Sequence, residues 1–382
     1  MAVINFDNAA TTFPKPDSVA AAVSKAFTVY GGNPSRGGHE LAMNTANAVF
    51  GVRSLAAEMF GATPENVVFT LNCTHALNMA IKGVAESGTD VIVSCMEHNS
   101  SSRPVFAMCG GRRINIAKVY PDEQRTIESF RALITPQTRV IVCTLASNVT
   151  GRIMPYRAIA RLCAANNICF IADGAQVCGV LPVTLADGIN ILCTSGHKGL
   201  YGASGTGLLI TDGKYPIKPI IEGGTGNASL MLAQPMELPE ALESGTLNTA
   251  GILGLGAGIE FVKRSGMKRI HNHEKSLCDM FIRGLASLRC AVIYRENGVA
   301  YMPIAAFNLY GRDGALIPSE QAAVKLSEGG FCLRAGFQCA ALAHGCIGTE
   351  NGVIRFSPSV FNTRDEVYAL INFIRENFAR RA

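Results

Sequence analysis

A lysine and an aspartate, each near the end of a strand-like apolar run, are the residues of this chain best placed for covalent chemistry. Lys198 stands in the stretch 194–199, between apolar runs that predict strands at 189–193 and 205–210. A lysine held on so tight a loop, out of bulk water, has a lowered amine pKa and can form a Schiff base with a carbonyl compound. On this hexapeptide alone, an ordinary surface lysine is an equally good interpretation.

Asp173 ends the apolar run 168–173, one predicted strand before the lysine. A carboxylate at the end of a buried strand needs a cationic partner. The ring nitrogen of pyridoxal phosphate is such a partner, and an aspartate that keeps it protonated makes the ring an electron sink for a carbanion at the substrate α-carbon. Because Asp173 and Lys198 lie one β-unit apart, adjacent parallel strands would aim both at one cofactor.

These two residues lie in paired motifs, Asp-Gly-Ala-Gln at 173–176 and Ser-Gly-His-Lys at 195–198. The pair resembles the motifs of class V aminotransferases and cysteine desulfurases, which are fold-type I pyridoxal phosphate enzymes, and the resemblance covers nearly the whole chain. It implies an α/β fold with a large domain built on a mainly parallel sheet and a smaller C-terminal α+β domain. The expected boundaries are 15–250 for the large domain, and 1–14 with 251–382 for the small domain that carries the cysteine loop and the carboxylate arginine.

A predicted helix start offers a place for the cofactor phosphate. The polar turn 71–79 opens this helix, and N-terminal N–H groups with a favourable dipole suit an anion, so Thr74 and the backbone of His75 are the expected donors. A threonine in that position is more often only a helix cap. A similar threonine-rich turn in the family favours the phosphate role, and Ser195 and His197 would complete the cup.

Further polar residues follow the other predicted strands. The family has a Glu-His where His98 stands, which implies that this imidazole stacks on the pyridine ring, although a lone loop histidine usually does not. Asn148 could donate to the phenolic oxygen of the cofactor or to the substrate carboxylate, and Gln176 to the same phenolic oxygen. A family loop similar to 243–249 lends a threonine to the phosphate of the neighbouring subunit, which implies that role for Thr246.

Two arginines and a histidine are the candidate substrate-binding residues. Arg355 ends a predicted strand, its planar guanidinium suits a carboxylate, and it matches the substrate-carboxylate arginine of the family. The segment 31–39 contains Arg36 and His39, and a similar Arg-Gly-x-His segment in the family reaches the active site, often that of the other subunit. These two residues would therefore meet a substrate only in a homodimer. A linker between two helices is the alternative for this segment.

Cys339 is the residue that would decide the reaction. The stretch Arg-Ala-Gly-Phe-Gln-Cys-Ala at 334–340 is similar to the Arg-x-Gly-x-x-Cys-Ala of Suf-type cysteine desulfurases, whose cysteine attacks the substrate sulfur. The resemblance implies that L-cysteine is converted to L-alanine while Cys339 takes the sulfur as a persulfide, with Lys198 and His98 as the other catalytic residues. Arg334 could favour the thiolate. Gln338 stands where relatives commonly have a histidine, so proton transfer to the thiol would rely on another group.

Other interpretations of the same residues stay open. A buried structural cysteine is the alternative for Cys339, and a lyase acting on selenocysteine or another β-substituted amino acid is the alternative enzyme. A cysteine-rich metal or cluster scaffold is the alternative outside catalysis, but a scaffold has no need of Lys198, Asp173 and Arg355 together. Cys332, Cys339 and Cys346 are each seven residues apart, which matches no known spacing of metal ligands, so no metal is expected.

Composition limits the class of protein. The chain has 382 residues, 48% of them hydrophobic, enough for two domains and a large buried sheet. A net charge of +5 without a basic tract predicts a small-molecule ligand rather than nucleic acid or membrane. The resemblance to cysteine desulfurases adds a sulfur-acceptor protein as a candidate partner. The thirteen cysteines are scattered and form no Cys-x-x-Cys, and the start lacks a basic leader, so a cytoplasmic location is expected.

Overall fold

A computed structural model describes residues 3–35, 38–86, 88–110, 114–226, 230–311 and 313–379. The α-helices of these ranges are α1 (Asp17–Thr28), α2 (Glu40–Phe60), α3 (Cys73–Val84), α4 (Asn99–Met108), α5 (Glu123–Arg131), α6 (Tyr156–Ala165), α7 (Thr249–Ser265), α8 (Met267–Ser287), α9 (Ser319–Glu328), α10 (Ala341–Ile347) and α11 (Arg364–Phe378). The strands are β1 (Ile4–Asn5), β2 (Val67–Thr70), β3 (Asp90–Ser94), β4 (Asn115–Ala117), β5 (Thr138–Thr144), β6 (Cys169–Asp173), β7 (Ile191–Ser195), β8 (Gly207–Thr211), β9 (Ala291–Ile293), β10 (Ala305–Leu309), β11 (Phe331–Cys332) and β12 (Ile354–Phe356). Within these ranges, no helix is long and apolar enough to cross a lipid bilayer.

A seven-stranded sheet, in the order β2-β8-β7-β6-β5-β3-β4, forms the centre of the molecule. The five strands from β7 to β4 run parallel to one another, whereas β8 is antiparallel to both β7 and β2. Every residue of β6 and β7 is buried, as expected for strands that are covered by helices on both faces. The predicted α/β fold with a mostly parallel sheet is therefore confirmed.

The prediction that the Asp173 and Lys198 motifs lie on neighbouring strands is also confirmed. Strands β6 and β7 pair in parallel, with Asp173 beside Cys193, so the turn after β7 that carries Lys198 lies at the same sheet edge as Asp173. Strands β3 and β5 are parallel to them, and they end just before His98 and Asn148. The carboxyl ends of parallel strands are where an open α/β sheet binds ligands.

The C-terminal part forms two smaller sheets around a phenylalanine-rich core. Strands β12, β10 and β9 form an antiparallel sheet, while β1 pairs in parallel with β11, which brings Ile4 beside Phe331. Helix α7 packs into the core of the large sheet against α1 and α2, because Gly256 leaves room for Val52 of α2. The domain division at residue 250 stays a prediction.

A buried ion pair connects α2 to the segment before Thr246. Both terminal nitrogens of Arg53 donate to Glu243 at 2.8 Å, and the same carboxylate accepts the backbone N–H of Phe69 at the centre of β2. The two charged side chains are only 8% and 7% exposed. A pair so placed orients three segments at once, and loss of one partner leaves a buried charge without compensation.

Replacement Arg53→Ala is therefore expected to reduce the free energy of unfolding by about 3–5 kcal/mol, measured by urea denaturation. The control is Lys263→Ala, which removes another ion pair of α2, with Glu58, whose side chains are 40% and 66% exposed. That change is expected to cost less than about 1 kcal/mol. Equal effects of the two substitutions would contradict the role given to the buried pair.

Candidate active site

A cavity of about 280 Å³ opens at the carboxyl edge of the large sheet. Its walls bring together residues from β6, β7, β12, the starts of α3 and α4, and the N-terminal arm. The predicted site residues that line it are Thr74, His98, Asn148, Asp173, Gln176, Ser195, His197, Lys198 and Arg355. Segments separated by hundreds of positions in the chain thus meet at one concave surface.

Lys198 lies in the turn that follows β7. Burial lowers the pKa of its amine, and the nearby Asp173 carboxylate opposes part of that shift. A lowered pKa increases the fraction of neutral amine, which is the form that reacts with carbonyl carbon. Residues Thr11, Thr12 and Lys15 of the N-terminal arm donate to the backbone carbonyl oxygen of His197, which fixes the turn.

Asp173 is the last residue of β6 and is 4% exposed. Its Oδ1 accepts the N–H of Ala175 at 2.9 Å and the thiol of Cys73 at 3.4 Å. Sequence reasoning missed Cys73, although the residue stands next to Thr74 in the predicted phosphate turn. The carboxylate is thereby held in one orientation at the wall of the cavity.

The start of α3 differs in one respect from the sequence prediction. Asn72 is the N-cap, and its Oδ1 accepts the N–H of His75 at 2.9 Å. That N–H, predicted as a phosphate donor, is therefore already paired, because an N-cap side chain bonds the N–H of the second or third helical residue. Thr74 does line the cavity, whereas His75 lines a separate cavity of about 100 Å³ together with Thr246.

His98 is the N-cap of α4. Its Nδ1 accepts the backbone N–H of Ser100 at 3.0 Å and lies 2.8 Å from the hydroxyl of the same residue. Burial lowers the pKa of the His98 imidazole to about 4, and Asp173 opposes the shift. A flat, neutral ring therefore borders the cavity at neutral pH.

Arg355 is 1% exposed and reaches the cavity from β12. Its two terminal nitrogens donate to the backbone oxygen of Asn148 at 2.9 Å and to Oδ1 of Asp7 at 2.6 Å, while its Nε is buried without a partner. Sequence reasoning did not assign the Asp7 contact, since the two residues are 348 positions apart. The ion pair neutralises a guanidinium that burial alone would make costly.

Two more groups that line the cavity have unpaired, buried oxygens. The side-chain amide of Asn148 donates to the backbone oxygen of Gln338 at 2.7 Å, and Oδ1 of Asn148 has no partner. Oε1 of Gln338 is also without one. Buried polar atoms are rarely left unsatisfied in proteins, so these oxygens indicate that a polar ligand completes the site.

Cys339 borders the cavity rather than lining it, although Gln338 and Arg334 of the same loop form part of its wall. Cys339 is exposed, and its Sγ lies 3.5 Å from Nη2 of Arg334, a cavity-lining residue. Gln338 and Cys339 both have left-handed backbone conformations, with φ of 48° and 55°. Non-glycine residues in this region cost about 1–3 kcal/mol each, so the surroundings must hold them.

Three hydrogen bonds hold this strained loop in its conformation. The Gln338 amide donates to the backbone oxygens of Gly336 at 3.1 Å and Val353 at 3.0 Å, and the Cys339 carbonyl accepts the N–H of Asn99 at 2.8 Å. Gln338, which departs from the usual histidine, thus supports the conformation of the loop. It has no titratable proton to offer.

Two further predicted residues besides His75 lie away from this cavity. His39 is the exposed N-cap of α2, and its Nδ1 accepts the N–H of Ala42. Thr246 is exposed and its hydroxyl accepts from Asn33 at 3.4 Å. Arg36 lies outside the described residues. Among the residues that are described, no group of three or more His, Cys, Asp or Glu side chains could hold a metal ion.

The family description Aminotransferase class-V matches residues 4–370. This chain belongs to that family. A probable cysteine desulfurase of Methanothermobacter thermautotrophicus is 28% identical over 381 residues, which cover 97% of this chain and 93% of that protein. A cysteine desulfurase of Yersinia pestis is 29% identical over 351 residues, with coverage of 88% and 84%.

Solved structures agree with the fold. The apo structure of the cysteine desulfurase from Thermococcus onnurineus matches with a TM-score of 0.89 at 26% identity, over 98% of this chain and 94% of that one. The cysteine desulfurase CsdA from Escherichia coli matches with a TM-score of 0.85 at 24% identity and the same coverage. The likeness extends through the two small sheets as well as the large one.

Neutral imidazoles in the site predict a pH dependence. Burial lowers the pKa of both His98 and His197 to about 4, whereas an unfolded histidine titrates near 6.5. Between these two values the unfolded chain binds more protons than the folded chain. The contribution of the two histidines to the free energy of unfolding is therefore complete above pH ~6.5 and falls as the pH drops towards 4. NMR of labelled imidazoles should show neither ring titrating between pH 7 and 5.5, with His98→Gln used to assign one signal. A midpoint near 6.5 for either ring would refute the assigned burial effect.

Proposed function

We propose that this chain is a pyridoxal phosphate-dependent cysteine desulfurase that converts L-cysteine to L-alanine and takes the sulfur as a persulfide on Cys339. The carrying observation is a single cavity that contains a partly buried lysine, a strand-end carboxylate and a buried arginine, bordered by an exposed cysteine beside Arg334. Relatives of that name from archaea and bacteria, aligned over nearly the full chain, support the proposal.

The residues present fit the cofactor. Pyridoxal phosphate, when bound, supplies an electron sink for the carbanion formed at the α-carbon of an amino acid. Lys198 provides the amine that binds its aldehyde carbon, Asp173 provides the carboxylate for the ring nitrogen, and His98 provides a flat neutral ring for stacking. Hydroxyl, amide and imidazole groups for its oxygens would come from Thr74, Ser195, His197, Gln176 and Asn148.

The substrate amino acid is held and deprotonated by residues of the same wall. Arg355 binds the α-carboxylate, for which its unpaired Nε and its terminal nitrogens are the available donors. Lys198, whose amine pKa is lowered by burial, accepts the α-proton and later returns a proton to the carbon skeleton. Asp7 balances the arginine charge until the carboxylate arrives.

Cys339 performs the sulfur transfer. Its thiolate attacks the substrate sulfur, an S–S bond forms, the C–S bond breaks, and the electron pair passes to the carbon skeleton, which is released as alanine after protonation. The sulfur stays on Cys339 as a persulfide. Arg334 stabilises the attacking thiolate from 3.5 Å. Gln338 supports the loop and cannot titrate. Proton transfer at the Cys339 thiol therefore relies on another group.

The exposed position of Cys339 also supports delivery of the sulfur to an acceptor protein. The neighbouring Phe337 is 53% exposed, which offers an apolar contact beside the persulfide. The acceptor would have to present a thiol at this surface. Cytoplasm is the proposed location because most of the thirteen cysteines are buried as free thiols within or beside strands and helices.

We also propose a homodimer with shared active sites. Thr246 and His39, which the family motifs connect with cofactor and substrate, lie outside the cavity of their own chain. Asn33 bonds Thr246, so their two loops form one surface. Large apolar side chains are exposed in α2 and in the segment after Gly226, a feature typical of surfaces that become interfaces. They are Leu41, Met43, Phe50, Leu230, Met231, Leu232 and Met236.

The function is tested with two variants that fail at different steps. Lys198→Ala should lose the cofactor absorbance that borohydride reduction fixes to the protein, and all turnover with it. Cys339→Ser should keep that absorbance and still change it on addition of L-cysteine, but release on the order of 100-fold less alanine and carry no persulfide, because it lacks the nucleophile. Both outcomes are measured by absorbance, alanine release and intact mass.

Cys332→Ser is the matched control, since Cys332 lies in the strand before the same loop and is expected to retain the parent rate. Selenocysteine is a second substrate for the comparison, because its weaker carbon–selenium bond can break without the nucleophile. Parental turnover of L-cysteine by Cys339→Ser would disprove the persulfide mechanism. A protein that takes up no added pyridoxal phosphate would disprove the proposed function as a whole.

Shared sites predict recovery of activity in mixed dimers. Lys198→Ala and His39→Ala are each expected to be impaired as homodimers. Subunits mixed in equal amounts after mild dissociation should recover about a quarter of the parent activity, since half of the dimers then have one intact site. No recovery, or a fully active monomer in sedimentation, would show that each chain builds its own site.

A further inference from the structure

Two cysteines without a role in the proposed reaction approach each other closely. Sγ of Cys95 lies 2.6 Å from Sγ of Cys346, although the residues are 251 positions apart in the chain. Cys95 is buried immediately after β3, whereas Cys346 is exposed in α10. Neither residue lines the active-site cavity.

The distance is shorter than an ordinary contact between sulfur atoms that are not bonded. Nonbonded heavy atoms have their best contact at about 3.5–4.0 Å, and the sulfurs of a disulfide are about 2.05 Å apart. A movement of about half an ångström would therefore bring the two sulfurs to bonding distance. The backbone of Cys95 is fixed by its N–H bond to Ala117 at 2.9 Å, so the folded scaffold itself holds the pair together.

The two thiols differ in the way that a disulfide-forming pair requires. The hydrogen bond from Cys95, with smaller contributions from the Val119 backbone and from Arg152, lowers the pKa of the Cys346 thiol to about 7, against the effect of burial. Cys346 is exposed, and a substantial fraction of it is therefore thiolate at neutral pH. The hydrogen bond with the Cys346 sulfur, together with burial, raises the pKa of Cys95, so this residue is a protected thiol placed to react second.

We propose that Cys95 and Cys346 are a reversible oxidation site that forms an intramolecular disulfide on reaction with a small-molecule disulfide. The Cys346 thiolate attacks the small disulfide, whose S–S bond breaks and releases one thiolate, which takes the proton of Cys95. The Cys95 thiolate then attacks the Cys346 sulfur, forms the protein disulfide and expels the second small thiolate, which takes a proton from solvent, the proton that Cys346 had released. Two cysteine thiols are oxidised and one small disulfide is reduced to two thiols.

The position of the two cysteines determines which elements a disulfide would connect. Cys95 stands three residues before His98, and Cys346 lies in the helix that follows the Cys339 loop. The disulfide would join the edge of the large sheet to the helix beside this loop. A bond between residues so distant in the chain restricts the unfolded chain strongly, so oxidation should raise the thermal midpoint of unfolding by several degrees.

The experiment uses the full-length protein loaded with cofactor. It is incubated with oxidised glutathione, alkylated, digested without reduction and analysed by tandem mass spectrometry. The expected result is a linked Cys95–Cys346 peptide, a mass lower by about 2 Da in the intact protein, and an increased thermal midpoint, all reversed by dithiothreitol. Cys339 should be absent from the linked peptide.

Matched variants distinguish this pair from general thiol oxidation. Cys95→Ser and Cys346→Ser should each lose the linked peptide and the thermal shift, whereas Cys109→Ser, at a partly exposed cysteine at the end of α4, should keep both. Glutathione that remains attached to Cys346 in the parent protein would overturn the proposal, because Cys95 would then have failed to react. A link that involves Cys339 would overturn it as well.

Discussion

Burial of ionisable side chains at one edge of a parallel sheet is the constraint on which the rest of this structure depends. Asp173 and Arg355 are almost fully buried and Lys198 is partly buried, and a charge on any of them would be costly there without a partner. Asp173 opposes the lowering of the lysine pKa, and Asp7 pairs with the arginine. The fold satisfies these charges by bringing oppositely charged groups from distant segments to the same cavity. The polar atoms that stay unpaired are then the natural contacts of a ligand.

The N-terminal arm has a larger structural role than its length indicates. Strand β1 pairs with β11, Asp7 reaches Arg355, and Thr12 holds the lysine turn through the carbonyl of His197. One short segment thus connects both small sheets with the reactive lysine. Displacement of this arm would disturb the carboxylate-binding arginine and the lysine turn together.

Thirteen cysteines divide by location rather than by sequence motif. Cys143 and Cys193 lie within the sheet, where burial raises the pKa of their thiols and makes them small apolar side chains. Cys339 is exposed on a loop whose strained backbone is braced by Gln338 and Asn99. Cys346 has its pKa lowered by a second sulfur. Their chemistry follows from these surroundings, because the thiolate is the reactive form.

The sequence by itself determined the strands, the helix starts and the order of the motifs, because these depend on short-range patterns. The apolar runs that end at Asp173 and before Lys198 predicted neighbouring parallel strands, and they are neighbours. Only the tertiary structure decided which groups those residues meet. The bond of Asp7 to Arg355, the thiol of Cys73 on Asp173 and the contact of Cys95 with Cys346 join positions 100 to 348 apart. No local pattern encodes such contacts, since they arise from packing of whole elements. The bond of the His75 N–H to Asn72 is different, because it is a helix cap between residues three positions apart, a local signal that sequence reasoning could have used.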